Sequence, residues 1–110
     1  QNQHDAVIEK LVAAGARVQS KEVVAQMCQA AADGDILYLQ RLVKAGGDIS
    51  TGDYDGRTPL HLAAACNQLR VAQYLIEQGA DINALDRFGG RPIDDAERNG
   101  LEEMKALVQP

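Results

Sequence analysis

The residues of this chain whose types could do chemistry are few. Asp94, Asp95 and Glu97 bring carboxylates together, Cys28 and Cys66 are the two thiols, His4 and His61 are the two imidazoles, and Thr58 precedes His61 by three places. Paired carboxylates could act as general acid and base. On a helix, however, Asp94 and Asp95 point to different sides, and no nucleophile, oxyanion loop or Gly-rich phosphate cradle accompanies them, so they read as a solvated helical face. The cysteines lack C-x-x-C spacing. They fall at different levels of the chain's periodic pattern, beyond the roughly 7 Å Cα reach of a disulfide, and read as small buried or half-buried thiols of a reducing compartment. Cys28, Cys66, His4 and His61 have no metal-ligand spacing. The sequence therefore assigns no catalytic residue, no metal and no cofactor, and the chain is not expected to be an enzyme.

Elements that would position these residues are legible from residue 53 onward. Asp53-Tyr54-Asp55-Gly56 is turn chemistry, with a Gly free to take positive φ. Thr58 then offers an N-cap oxygen and Pro59 a first helical residue with no amide to leave unpaired, so a helix is expected to start at Pro59. Leu60, Ala63 and Ala64 share one face of it. After Cys66-Asn67 a second periodic run puts Val71, Tyr74 and Leu75 on one stripe, and Gly79 ends it. The pattern repeats with a period of about 33 residues. Downstream, Asp86, Gly89, Pro92, Ile93 and Ala96 match Asp53, Gly56, Pro59, Leu60 and Ala63, while Gly100, Met104 and Val108 match Asn67, Val71 and Leu75. Upstream, Ala30, Ala31, Gly34, Leu42, Val43, Gly46 and Asp48 match Ala63, Ala64, Asn67, Leu75, Ile76, Gly79 and Asp81. Val7, Ile8, Leu11, Val12, Gly15 and Ala16 read as the second helix of a further unit, with a shortened hairpin around Gln19 to Glu22.

The run Thr58-Pro59-Leu60-His61-Leu62-Ala63 resembles the T-P-L-H-x-A motif of the ankyrin repeat. The resemblance implies an all-α ankyrin-repeat solenoid of helix-turn-helix units with hairpin loops. Its divisions are a half repeat 1–19, a degenerate repeat 20–52, a consensus-like repeat 53–85 and a C-terminal capping repeat 86–110. It also implies that Thr58 and His61, with Pro59 and Leu60, form a structural motif in which the Thr and His hydrogen-bond each other and tie one repeat to the next. Ala25 and Cys28 hold those places in the second unit and Arg91 and Asp94 in the last, so those turns are expected to be held less firmly. Met27 to Ala30, Asp53 to His61, and Asp86-Arg87-Phe88-Gly89 with Pro92, Asp94, Ala96 and Gly100 are together similar to the cytoplasmic tail of plant Shaker-type potassium channels. They are also similar to the ankyrin tails of glutaminases and ankyrin-bearing asparaginases.

Function, on this reading, is protein–protein interaction by a regulatory or assembly segment of a larger protein such as a potassium channel. The alternatives are a regulatory or oligomerisation tail of an amide hydrolase and a free-standing adaptor. The expected groove residues are Tyr54, Asp55 and Arg57, then Leu85, Arg87, Phe88 and Arg98. Tyr and Arg are favoured interface anchors, and the competing reading has Tyr54 and Phe88 packing hairpin on hairpin. Asn83, in Leu75 with Asp81-Ile82-Asn83, resembles the hairpin position hydroxylated in many ankyrin proteins.

Composition agrees. A length of 110 residues fits one domain, and 17 Ala and 11 Leu beside 4% aromatic residues suit thin, closely approaching helix layers. A net charge of -5 argues against a nucleic-acid backbone or an anionic membrane surface as partner. No run approaches the roughly 18 apolar residues of a membrane span, and Gln1-Asn2-Gln3-His4-Asp5 does not read as a signal peptide, so a cytoplasmic setting is expected, including the cytosolic part of a membrane protein. An opening half repeat suggests a cut at residue 1, with an open helix face suited to self-association. The charged last unit suggests a natural end at residue 110.

Overall fold

A computed structural model describes residues 21–109. The expectations placed on residues 1–19, including the leading half repeat, the cut at residue 1 and His4, lie outside the described residues, as does Pro110. The described residues form three helix pairs: α1 (Lys21–Asp33) with α2 (Ile36–Lys44), α3 (Pro59–Ala65) with α4 (Leu69–Glu77), and α5 (Pro92–Arg98) with α6 (Glu102–Leu107). The first helices stack α1 on α3 on α5, each packs on its own partner, and α4 packs on α6. No strand occurs among the described residues, and this is the all-α solenoid.

Stacking works because equivalent places bury equivalent side chains. Ala30, Ala63 and Ala96 are all buried, and their size lets the first helices approach closely. Tyr38, Val71 and Met104 form a second ladder, and Leu42, Leu75 and Val108 a third, fully buried but for 4% of Tyr38 and 1% of Val71. Each ladder is continuous across repeats, so no single unit has a core of its own.

Each pair turns through one left-handed residue, at Gly34, Asn67 and Gly100, with φ of 76, 57 and 67°. The following amides, of Asp35, Gln68 and Leu101, donate to Ala30, Ala63 and Ala96 carbonyls at 2.9 Å, closing the first helix of each unit in the same way. Asn is the side chain that tolerates this conformation best after Gly.

Two expectations change. Helix α1 already includes Lys21 and Glu22, whereas the place equivalent to Pro59 is Gln26, so no hairpin runs as far as Glu22. The physical reason is that Lys21 to Ala25 carry neither a turn Gly nor a Thr-Pro start, while Val23 and Val24 are buried and gain from a longer helix. Cys66 is exposed at the C-cap of α3, where it was expected to be at least half-buried, because the cap residue lies beyond the packed face.

Candidate functional site

The loop side of the stack is built from two equivalent aspartates. Asp53 Oδ1 accepts the amides of Asp55 at 2.9 Å and Arg57 at 3.1 Å, and the Asp53 amide donates to the Arg57 carbonyl at 2.9 Å. One repeat on, Asp86 Oδ1 accepts Phe88 at 2.9 Å and Gly90 at 2.8 Å, and its amide donates to the Gly90 carbonyl at 2.9 Å. Each aspartate thereby closes a hairpin and pushes the next two side chains outward. The hairpins touch through backbone: Arg87 N donates to Asp55 O at 2.6 Å, and a Cβ on Gly56 would sit 3.2 Å from Arg87 N.

Tip side chains are consequently displayed. Tyr54 is 83% exposed, Phe88 79% and Leu85 62%, so Tyr54 and Phe88 do not pack one hairpin on the next. Arg87 lies 5.6 Å from the centre of the Phe88 ring, in reach of a cation–π contact, and pairs with Asp55 at 3.4 Å. Exposed apolar surface at the tips, stiffened by a guanidinium, can contact a partner without large ordering cost.

Arg57 behaves differently. Its guanidinium turns inward to Asp86 Oδ2 at 3.4 Å and Asp95 Oδ2 at 3.2 Å, and the aspartate side chains are only 6% and 4% exposed. Asp95 also pairs through Oδ1 with Arg98. The expectation of a solvated acidic face therefore fails at Asp95, which is a buried charge held between two arginines. A carboxylate in that place goes against the repeat's own habit, since the equivalent residues are Leu62 and Gln29. That departure was the signal in the sequence.

Beneath this pair lies His61, fully buried. Its Nδ1 accepts the Thr58 amide at 3.1 Å and lies 3.0 Å from the Thr58 hydroxyl. With Nδ1 accepting, the ring hydrogen is on Nε2, which donates to the Gly90 carbonyl of the next repeat at 2.9 Å. Cys28 makes the matching bond one joint earlier: Sγ donates to the Arg57 carbonyl at 3.6 Å. In the last unit Asp94 Oδ2 accepts the Arg91 amide at 2.8 Å, as His61 accepts Thr58. The two turns expected to be held less firmly each keep one half of the Thr-His arrangement, because a thiol can donate across the joint and a carboxylate can accept within it. Burial, reinforced by Asp53 and opposed by Arg57, pushes the Cys28 thiol up to about 12. It is a structural thiol, not a nucleophile.

The Gly90 amide holds the Asp86 carboxyl below its ordinary range; burial opposes this, while the Phe88 amide, His61 and Arg57 add to it. A depressed carboxylate stabilises fully above its unfolded value, about 4, and ceases to as pH falls through the folded one. The urea midpoint should therefore decline on acidification below about pH 4, and Asp86→Asn should start lower and show a flatter acid limb.

A family profile described as ankyrin repeats (3 copies) matches residues 1–86. The chain belongs to the ankyrin-repeat family. Ankyrin repeats are protein-interaction modules. Over 83 residues it is 40% identical to the potassium channel KOR1 of Oryza sativa subsp. japonica, covering 76% of this chain and 10% of the channel. Over 95 residues it is 36% identical to the potassium channel AKT1 of Arabidopsis thaliana, covering 86% and 11%. The mitochondrial liver isoform of glutaminase from Mus musculus is 41% identical over 96 residues, 84% of this chain and 16% of that protein. The ankyrin chain thus spans about a tenth to a sixth of these relatives' length. Among the described residues no helix is long and apolar enough to cross a membrane.

Proposed function

We propose that the hairpin-tip side of this ankyrin stack docks a protein partner, with Tyr54, Leu85 and Phe88 as apolar anchors and Arg87 beside them. The observation that carries this reading is the exposure of Tyr54, Leu85 and Phe88 on successive loops, with Arg87 stacked against Phe88. Asp55 belongs to the same surface through its exposed pair with Arg87, and Arg98, expected in the groove, pairs with Asp95 on α5 and keeps its own side chain open to solvent. Arg57 contributes from below by fixing the second hairpin to the first. The segment acts as a regulatory or assembly part of a larger protein, and the similarity to plant potassium channels favours a channel. The glutaminase match, of like identity over a like share of this chain, supports an amide hydrolase as the second reading. The coding sequence upstream of Gln1 separates the two, by encoding a pore and its cytosolic domain or an amidase.

The docking test uses the remainder of that parent protein as the binding probe. Phe88→Ala and Tyr54→Ala should each weaken affinity by roughly 30-fold, the equivalent of about 2 kcal/mol for a true anchor. Both residues are exposed, so the urea midpoint should hold. Unchanged affinity with both replaced would refute the docking surface.

A further inference from the structure

Between α5 and α6 the chain reads Asn99-Gly100, and both residues are exposed. Asn99 is the C-cap of α5, and its Nδ2 donates to Asp95 O at 3.0 Å and to Ala65 O at 3.4 Å, the latter at the end of α3 in the preceding repeat. Gln68 serves the equivalent carbonyl one joint earlier, Nε2 to Ala32 O at 2.9 Å. The Asn99 amide is thus a clasp between the ends of two first helices. Gly100 takes a φ of 67°, its amide donates to Glu97 O at 3.1 Å, and a Cβ placed on it would meet nothing within 4 Å.

We infer that Asn99 is a site of spontaneous deamidation whose product unfastens the last repeat from its neighbour. The Gly100 nitrogen attacks Asn99 Cγ, a new N–Cγ bond forms and the Cγ–Nδ2 bond breaks. Ammonia departs with the proton that the Gly100 nitrogen gives up. Water then opens the five-membered imide at one carbonyl or the other, leaving aspartate or isoaspartate. The reaction needs a following residue without a side chain and room for the ring, and Gly100 supplies both. Closure proceeds from the frayed end of α5, when the Gly100 amide leaves Glu97 O, so the fold sets its pace.

Competing positions are less suited. Asn67 and Asn83 precede Gln68 and Ala84, whose side chains crowd the attack. Gly56 follows Asp55, but its amide donates to Asp53 O at 2.9 Å in a hairpin pressed against the next one. At residue 99 the product has a large consequence. A carboxylate oxygen replaces the amide donor, so Ala65 O and Asp95 O face an acceptor, and one negative charge is added beside Asp95 and Glu97. Isoaspartate also inserts a methylene into the backbone turn that Leu101 N closes on Ala96 O.

To test this, the intact chain is held in warm, mildly alkaline buffer and digested with trypsin, which cuts after Arg98 and Lys105 and releases residues 99–105. That peptide should gain isoaspartate before those containing Asn67 and Asn83. Asn99→Gln, which keeps the amide but would have to close a six-membered ring, should gain none there. Asn99→Asp, a direct copy of one product, should lower Tm by roughly 4–8 °C, the shift expected for about one net hydrogen bond in a domain of this size. It should also speed hydrogen exchange in α6 and leave α1 unchanged. Conversion at Asn99 no faster than at Asn67 and Asn83 overturns the site. An unchanged Tm for Asn99→Asp overturns the unfastening.

Discussion

Arg57→Ala is expected to destabilise the chain by about 3 kcal/mol, the lower end of what breaking a buried ion pair costs. The side chain bridges two repeats, reaching Asp86 and Asp95, and both carboxylates are almost entirely out of water. Removing the guanidinium leaves each with a charge it can neither solvate nor fully pair. The loss stops short of the upper end because Asp86 keeps the amides of Phe88 and Gly90, and Asp95 keeps Arg98. Adding Asp95→Leu, the residue that the preceding repeat uses at that place, should recover much of the loss, since an ion pair replaced by apolar packing is often neutral. Urea melts of the single and double variants measure this. A single variant as stable as the parent would mean that the pair is solvated and behaves like an exposed one, worth at most about 1 kcal/mol.

His61→Ala should cost a similar amount, about 3 kcal/mol, by a different route. The ring is fully buried and satisfies the Thr58 amide on one side and the Gly90 carbonyl on the other, so its loss leaves a cavity and two polar groups unpaired. Thr58→Ala alone should cost about 1 kcal/mol, and the two losses should not add, because they dismantle one network. His61→Cys tests the equivalence with Cys28. A thiol can donate to Gly90 O but is a poor acceptor for the Thr58 amide, so stability should fall between His and Ala. Additive losses in the Thr58–His61 cycle would show that the two side chains act separately.

Much of the fold was legible in the residues themselves. Thr58-Pro59 can only begin a helix well, the Ala30, Ala63, Ala96 series demands close helix packing, and Gly34, Asn67 and Gly100 fall in register at the place where the structure puts the left-handed turn of each described pair. These are local requirements of backbone conformation and side-chain volume, and they repeat, so each unit corroborates the next. That α1 reaches back to Lys21 and Glu22 was not legible, because a missing stop signal leaves the helix to whatever burial Val23 and Val24 can gain.

At the site the division is sharper. The sequence alone placed turn chemistry at Asp53 and, one period on, at Asp86, and the ankyrin resemblance put Tyr54, Arg87 and Phe88 on the groove side of those turns. Only the tertiary structure decided which arginine faces in and which faces out. Arg57 and Arg87 are alike in type and lie in adjacent hairpins, yet Arg57 is held by Asp95 from the next unit's helix while Arg87 stacks on its own neighbour Phe88. Likewise, that Cys28 replaces His61 in joining two repeats depends on the Arg57 carbonyl, 29 residues further along. A repeat frame states which residues occupy equivalent places. Burial between repeats is a property of the joint, set by partners distant in sequence, and it appears only when the units are stacked.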